Sequence, residues 1–443
     1  MVAVCWGAVA LLLAVTAQGD ELLDPIVLTP PGGDDVTIRF GGQVRQQYEA
    51  FVNPDFGASP EDDGGYWLQR YVLDARVTAG DAVTFFFQLY SAPAADRTTG
   101  GGPFDEDPLR VQQAYVTLVL DGSDASSTTQ PDGGASTLSV GRQELRFGTQ
   151  RLISNRAGPN VRRAFDAVRV TVPREAWVFD ALLARPVEVD PEPLRDWGDG
   201  DEALWGLYAT RDADVGNAGG SVFDLYYLGF YNADAVFDTV AGQEVRHTLG
   251  ARARGVVHGL AVEAEAAVQL GSIDGDAIFA YTLALDATAA MGRPTDAVGL
   301  RFSLASGDHD ADDDQLNTFN PLYPRGSYFG ESAIVGPYNL IHLQPYVETE
   351  LLPGLTLEAG WSVFWRLSED DGFYNPGGGV IRSGLSIDDR FIGSELSLVV
   401  SYPLHPNAEV SAGYARFFAG DFIEATGESQ DVDFFQATVE LNF

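Results

Sequence analysis

An arginine-rich stretch, residues 140–169, contains the side chains best suited to chemistry in this sequence. The chain has a formal net charge of −37, and its 27 basic residues are all arginine. The arginines of the stretch are Arg142, Arg146, Arg151, Arg156, Arg162, Arg163 and Arg169. A guanidinium stays charged and offers a planar set of donors that fits a carboxylate. The stretch therefore predicts a surface for an anionic ligand, unless each arginine only pairs with a neighbouring carboxylate and braces the fold.

Other residues with chemical potential give weaker signals. Asp308, Asp310 and Asp312 suggest at most a loose cation site, because their spacing lacks the glycine and glutamate of an EF-hand loop; a solvated acidic loop is the alternative. The five histidines have no metal-ligand spacing. Glu263 and Glu265 share a strand face, as a general acid–base pair would, but a wet polar face explains them equally well. We therefore expect neither an enzyme nor a cofactor.

The first nineteen residues predict a secretory signal peptide. An apolar run from Val2 to Ala17 is followed by small residues, although no basic residue precedes it. Its cleavage would remove Cys5, the only cysteine. No later apolar run is long enough to predict a membrane helix. Residues 20–35 are expected to be a flexible lead-in, and the negative charge argues against nucleic acid as a partner.

The rest of the chain alternates apolar and polar residues over long stretches. The clearest are residues 36–50, 66–78, 245–253, 355–367 and 392–400. Strands of soluble proteins usually span about 3–10 residues, whereas these lengths suit tilted strands that cross a membrane. The apolar face would then point to lipid and the polar face to the lumen. A half-buried soluble sheet is the alternative.

These patterns predict an all-β protein: a single transmembrane antiparallel β-barrel of the outer-membrane type over residues 36–443, with about 18 strands. Phe443 ends an alternating strand, which is typical of the assembly signal of such barrels. Long loops are expected at residues 92–107, 121–136, 190–202, 308–335 and 369–389.

Alternation and the arginine-rich stretch together suggest which side chains face the lumen. The expected lining residues are Arg45, Arg70, Arg76, Arg142, Glu144, Arg163, Asp166, Arg169 and Arg366. Within the arginine-rich stretch, we expect Arg142, Arg163 and Arg169 to face the lumen. Arg151 and Arg156 are expected in the connection between two strands.

Three blocks of sequence resemble the bacterial alginate-export outer-membrane barrels. The first is GRQELRFGTQRLISNRAGPNVRRAFDAVRV, residues 141–170. The second is SGDHDADDDQLNTFNPLYPRGSYFGE, residues 306–331, followed by GPYNL at residues 336–340. The third is IGSELSLVVSY, residues 392–402. Together the resemblance covers nearly the whole chain after the predicted signal peptide.

The resemblance implies a monomeric eighteen-stranded barrel in the outer membrane, with an arginine-bearing constriction and long loops over the pore. Arg142 and Arg169 match the basic lining of the family, with Asp166 and Glu144 as their partners. In the best-known members the cargo is alginate, a polyuronate. Here the longer link FGTQRLISNRAGPN replaces the short tryptophan-bearing one, so the chain is more similar to the broad branch of the family.

We therefore expect a passive outer-membrane channel for an anionic polysaccharide, such as an alginate-like polyuronate, or for its fragments. Its partners would be outer-membrane lipid, the saccharide and a periplasmic export protein. A porin for small anionic or carbohydrate solutes is one alternative. A non-conducting structural or adhesive barrel is another.

Overall fold

The computed structural model describes residues 26–29, 35–62, 64–98, 100–121, 134–213 and 220–443. The predicted signal peptide, residues 1–19, lies outside these residues. In the predicted lead-in, Ile26–Leu28 forms a short strand that pairs with the first barrel strand, from Ile26 opposite Ile38 to Leu28 opposite Val36. This part of the lead-in is therefore an ordered extension of the sheet.

Eighteen antiparallel strands of the described residues close into a barrel. They are β1 (Val36–Val52), β2 (Tyr66–Ala79), β3 (Val83–Ala92), β4 (Asp107–Val119), β5 (Thr137–Gln143), β6 (Phe165–Arg174), β7 (Trp177–Pro186), β8 (Glu202–Ala213), β9 (Ser221–Val236), β10 (Ala241–Val257), β11 (Leu260–Ile273), β12 (Asp276–Met291), β13 (Arg293–Ala305), β14 (Leu340–Leu352), β15 (Leu355–Trp365), β16 (Phe391–His405), β17 (Ala408–Ala419) and β18 (Val432–Asn442). The barrel closes where β1 pairs with β18, from Gln43 opposite Asn442 to Val52 opposite Asp433. This confirms the predicted all-β barrel and its strand number.

Side chains alternate between the two faces of the barrel wall. Large exposed apolar side chains on the outer face include Phe40, Leu73, Phe87, Leu249, Leu283 and Trp361. Buried polar side chains on the inner face include Arg45, Gln47, Arg70, Arg246 and Glu265. Apolar groups outside and polar groups inside are the arrangement of a barrel whose solvent is lipid. Among the described residues, no helix is long and apolar enough to cross a membrane.

Connection lengths distinguish the two ends of the barrel. Long connections at one end, the loop end, are residues 53–65, 93–106, 144–164, 187–201, 306–339, 366–390 and 420–431. The other end, the turn end, has short connections such as residues 175–176, 258–259 and 353–354. The predicted loops at residues 92–107, 190–202, 308–335 and 369–389 fall at the loop end, and most of the predicted loop at residues 121–136 lies outside the described residues. In outer-membrane barrels the long loops are extracellular and the short turns periplasmic.

Two of the long connections fold into the barrel. We call residues 144–164, between β5 and β6, loop A, and residues 306–339, between β13 and β14, loop B. Apolar side chains of both loops, including Leu152, Phe319 and Leu322, belong to one buried cluster inside the barrel. Burial of these side chains favours the inward path, because they would otherwise face water.

The backbones of the two loops pair inside the lumen. The Ser154 N–H donates to the Tyr323 carbonyl at 2.9 Å, and the Tyr323 N–H donates to the Leu152 carbonyl at 2.9 Å. A third bond runs from the Arg325 N–H to the Gln150 carbonyl at 3.1 Å. Loops A and B therefore form one crossing structure that narrows the lumen.

The two faces of one strand provide a matched test of membrane orientation. Ala412 lies on the same face of β17 as the exposed Tyr414, whereas Ser411 faces the lumen. Ala412→Arg should lower the free energy of unfolding from lipid vesicles by up to about 2–4 kcal/mol, because it places a charge in hydrocarbon. Ser411→Arg should have a much smaller effect, because water solvates the lumen. Equal losses for both variants would contradict the orientation.

Candidate functional site

Loops A and B leave two cavities in the lumen. The first, of about 540 Å³, lies against β1, β17 and β18. The second, of about 670 Å³, lies against β10 to β16. Three residues of loop B line both cavities: Arg325, Ser327 and Glu331. This junction therefore contains one cation and one carboxylate, and a solute moving between the cavities would pass both.

The first cavity is lined by Arg45, Arg156, Arg163 and Arg325. Within the part of the chain that the structure describes, no carboxylate lies within ion-pair distance of any of them, although acidic residues outnumber basic ones by 64 to 27. By contrast, Arg151 lies 3.7 Å from Glu265, Arg162 lies 3.0 Å from Glu144 and Arg169 lies 2.7 Å from Asp180. None of the four lining arginines is therefore neutralised by an ion pair with a described carboxylate.

Carbonyl oxygens and aromatic rings hold these arginines in place. Arg45 Nη1 donates to the Gly158 carbonyl at 2.8 Å, and Arg163 Nη1 donates to the Pro324 carbonyl at 3.4 Å. The Arg156 guanidinium lies 4.1 Å from the Phe104 ring centre, and that of Arg325 lies 5.5 Å from the Tyr328 ring centre. Such contacts fix an arginine without cancelling its charge.

The electrostatics of loop A reflect this crowding of positive charge. Burial lowers the pKa of Arg156 well below its usual value, and the nearby charges of Arg163 and Arg110 lower it further. Burial also lowers the pKa of Arg163. Desolvation of the two guanidinium groups therefore outweighs the attraction of nearby groups such as Asp105 and Glu202. An anion in the first cavity would add a favourable partner for the charged forms.

Two arginines of the wall and one asparagine attach loop A to β1 and β2. Arg70 donates from Nη2 to the Ala157 carbonyl at 2.9 Å and from Nε to the Asn160 carbonyl at 3.2 Å. The buried Asn160 amide donates to the Asp105 carbonyl at 2.8 Å and to the Gln69 carbonyl at 3.1 Å. Arg45 also donates to Asn160 Oδ1 at 3.3 Å. These bonds set the depth at which Arg156 and Arg163 enter the lumen.

Carboxylates occupy other parts of the lining. Glu331 accepts a bond from Gln436 Nε2 at 2.9 Å, and Glu409 and Glu440 also line the first cavity. In the second cavity, Arg301 bonds to Glu358 at 2.9 Å and to Asp286 at 3.3 Å. The second cavity thus contains a neutralised cation, whereas in the first Arg45 and Glu440 are register partners on β1 and β18 without an ion pair.

Five of the predicted lining arginines point inward. Arg45 and Arg163 line the first cavity, and Arg70 holds loop A. Arg169 is paired with Asp180, and the Arg76 guanidinium lies 5.2 Å from the Phe86 ring centre near the turn end. The structure thus brings together only part of the predicted set.

Arg142 and Asp166 require a correction, because both lie on the outer face. They are register partners of each other, two residues from the exposed pair Val140 and Val168. Arg142 bonds Asp166 through Nε at 2.8 Å and Nη2 at 3.1 Å, and it donates to the Asp196 carbonyl at 3.2 Å. The prediction was wrong by one step of the alternation, because Gly141 and Ala167 occupy the inward positions of β5 and β6.

Glu144 and Arg366 are also not lining residues. Glu144 lies at the start of loop A, where it pairs with Arg162 and accepts bonds from Gln112 at 2.9 Å and Asn155 at 2.6 Å. Arg366 is fully buried and donates only to backbone carbonyls of residues 369–389. It therefore organises the loop after β15.

Two functional candidates were missed from the sequence. Arg156 was expected in a connection, and it does lie in one, but that connection enters the lumen. Arg325 lies in loop B, within the block PLYPRGSYFG. The apolar residues that flank both arginines were the available signal, because an exposed loop has little need of Leu152, Ile153, Leu322 or Tyr323.

The aspartates considered for a cation site have other contacts. Asp308 accepts bonds from Thr239 Oγ1 at 2.6 Å and from the Asn317 N–H at 3.3 Å. Asp310 accepts from the Asp312 N–H at 3.1 Å, as in an ordinary acidic turn. In the described ranges, no group of three or more His, Cys, Asp or Glu side chains is placed to hold a metal ion.

Comparison with known proteins places the fold and the family. The family model for alginate export matches residues 36–436. This chain belongs to the alginate export family. A search of curated proteins finds no match. Membership and fold together indicate a channel-type barrel of the bacterial outer membrane, whose loop end is therefore extracellular and whose apolar face contacts membrane lipid.

Solved porins of other bacteria share the barrel of this family member. Acinetobacter baumannii OccAB1 is similar at 12% identity and a TM-score of 0.63, covering 92% of this chain and 96% of that chain. Pseudomonas aeruginosa OccK2 (OpdF) in complex with glucuronate has 12% identity, the same coverages and a TM-score of 0.56. Pseudomonas aeruginosa OpdK with vanillate has 12% identity and a TM-score of 0.58, covering 92% and 98%.

Loss of the Asn160 side chain should loosen the constriction. Asn160→Ala leaves the buried Asp105 and Gln69 carbonyls without this donor, and each buried unsatisfied group costs about 1–3 kcal/mol. We expect a larger and noisier single-channel conductance in planar bilayers, because loop A would leave its fixed depth. Asn442→Ala, at the turn end, is the control and should conduct like the unaltered protein. An unchanged conductance of a correctly folded Asn160→Ala barrel would count against this role of Asn160.

Proposed function

We propose that this protein is a passive channel for anionic saccharides, with short uronate fragments as the preferred cargo. The carrying observation is the set of four arginines in the first cavity that have no carboxylate partner. A uronate carboxylate fits the donors of a guanidinium. The acidic and amide side chains of Glu331, Gln436 and Glu440 offer acceptors and donors to sugar hydroxyls.

The same arrangement favours passage over tight binding. Conduction requires sites that attract a solute yet release it, and several weak sites in series meet this need. Arg156, Arg163 and Arg325 provide several cations in the first cavity, and Glu331 lines the same junction as Arg325. A carboxylate at the junction would repel an anion held there, which would promote its release into the next cavity.

Several features support this assignment over the alternatives. The family and the neighbouring structures are channel proteins, which favours a channel over an enzyme or an adhesive barrel. Two of the neighbours were solved with carboxylates, glucuronate and vanillate. Because loops A and B are joined across the lumen, fragments suit the two cavities better than an intact polymer. We propose that the barrel works as a monomer, driven by a gradient or by a periplasmic partner.

A second candidate is a porin for small anions without selectivity for sugars. The observation that favours it is the backbone pairing of loops A and B across the lumen, which restricts the size of a solute that can pass. This porin would use the same arginine-lined path as the saccharide channel. The two candidates differ in whether the hydroxyl groups of a sugar contribute to binding.

Charge changes at the junction test the path. Arg325→Gln should lower the anion-to-cation permeability ratio roughly fivefold, because a unit charge at about 4 Å in water is worth about 1 kcal/mol. Glu331→Gln should raise this ratio, since it removes the opposing charge. Reversal potentials under a salt gradient measure both. Arg185→Gln, on the outer face, is the matched control, and identical ratios in all three variants would rule out the proposed path.

Block by saccharides tests the cargo. Trigalacturonate added at 0.1 M salt should reduce the current, whereas uncharged maltotriose should have little effect. Block should weaken at 1 M salt, because the Debye length falls from about 10 Å to about 3 Å. Acetate at the same carboxylate concentration should block less than the uronate if hydroxyl groups contribute. Equal block by acetate would favour the small-anion porin, and no measurable current in a folded barrel would favour the adhesive alternative.

A further inference from the structure

An apolar hollow lies on the lipid-facing side of the barrel, away from the lumen. It has a volume of about 780 Å³ and crosses β6 to β12. Its outward lining alternates large side chains, such as Leu207, Leu225 and Leu249, with alanines. The alanines are Ala181, Ala209, Ala251 and Ala266. Ala251 and Ala266 are register partners, so two small side chains meet at the middle of the hollow.

A polar cluster adjoins the extracellular side of this hollow. Trp205 Nε1 donates to the Tyr227 hydroxyl at 3.2 Å, and that hydroxyl lies 2.9 Å from His247 Nδ1. Tyr227 also lines the hollow, so the two features are continuous. The Trp205 ring lies against Gly229, where an added Cβ would approach it to 2.0 Å. The glycine therefore makes room for the cluster on the outer wall.

Hydrogen-bond chemistry sets the tautomer of His247. An indole N–H can only donate, so the Tyr227 oxygen accepts from Trp205 and its own proton is free for His247 Nδ1. The opposite assignment would leave the tyrosine proton unpaired in an apolar environment, which is costly. His247 Nε2 then bears a proton. Among the described residues that proton has no acceptor, and the exposed imidazole points toward the membrane.

We infer that this surface is a binding site for one lipopolysaccharide molecule of the outer leaflet. Its acyl chains would fill the hollow, and an oxygen at the acyl linkage or headgroup would accept from His247 Nε2. The order of the two features supports this source: the polar cluster lies toward the extracellular end, and the hollow lies deeper. An outer-leaflet lipid has its polar linkages and its chains in the same order. At the turn-end side of the hollow, the Arg211 guanidinium lies 5.6 Å from the Trp177 ring centre and Trp177 stacks on Phe179. An inner-leaflet phospholipid is therefore the competing occupant, and the comparison with phosphatidylethanolamine decides between the two.

A second copy of the barrel fits this surface less well. A twofold dimer would bring the same patch of both copies together. Two concave surfaces with alanines at their centres would leave a void between them. Lipid is also the medium that already covers this face of an outer-membrane barrel.

The test measures lipid retention on the purified full-length barrel by native mass spectrometry. Lipid A and phosphatidylethanolamine are added separately at matched concentrations. The unaltered protein should retain one lipid A and little phosphatidylethanolamine. The double variant Ala251→Leu, Ala266→Leu fills the hollow and should bind lipid A at least about tenfold more weakly. His247→Phe removes one donor and should weaken binding about two- to tenfold.

Ala287→Leu, an outward alanine beyond the hollow, is the matched control and should bind as the unaltered protein does. A heat-dependent shift in gel mobility verifies that every variant is folded. Lipid A binding that is unchanged in the filled variant would overturn the proposal. If the barrel retained phosphatidylethanolamine as strongly as lipid A, the assignment of the bound lipid to lipopolysaccharide would be wrong. Dimers that disappear on filling the hollow would assign the surface to a second copy instead.

Discussion

No water reaches the hydrocarbon core of a membrane, so every backbone N–H and C=O that crosses it needs a partner within the protein. This chain meets the requirement by pairing each strand with its neighbours and closing β1 against β18. Closure removes the free edges and fixes the period-two alternation of side chains. It also creates a wet interior, where acidic and basic residues of the spanning strands can lie at low cost.

That interior would be a wide bore without loops A and B. Their apolar side chains form a core inside the barrel, and three backbone hydrogen bonds join them across the lumen. The inward loops divide the bore into two cavities and present arginines at defined depths. Arg45 and Arg70 of the wall donate to carbonyl oxygens of loop A. Two positively charged wall residues therefore hold in place the arginines that loop A carries.

The pairing of charges separates bracing arginines from those available to a solute. Arg151, Arg162 and Arg169 have carboxylate partners and stabilise the loop and the wall. Arg156, Arg163 and Arg325 have ring and carbonyl contacts instead. A chain with so many carboxylates could have neutralised them. None of these three arginines forms an ion pair with a described carboxylate, so in the proposed channel their charge is available to a solute, whereas the apolar hollow outside faces the lipid.

Alternation along the chain was enough to predict the barrel, its strand number and the faces of its strands, because lipid on one side and water on the other impose this pattern on every long strand. The sequence also identified the arginine-rich stretch and the inward Arg45, Arg70 and Arg163. Which arginines lack an ion pair depends on the three-dimensional packing of the loops and the wall. Arg142 lies on the outer face because of its position in the alternation of β5. Arg366 donates to backbone carbonyls of the loop after β15. Arg156 and Arg325 lie on loops that enter the lumen. These outcomes depend on contacts between residues far apart in the chain, such as Arg163 with Pro324, and local patterns do not encode such contacts.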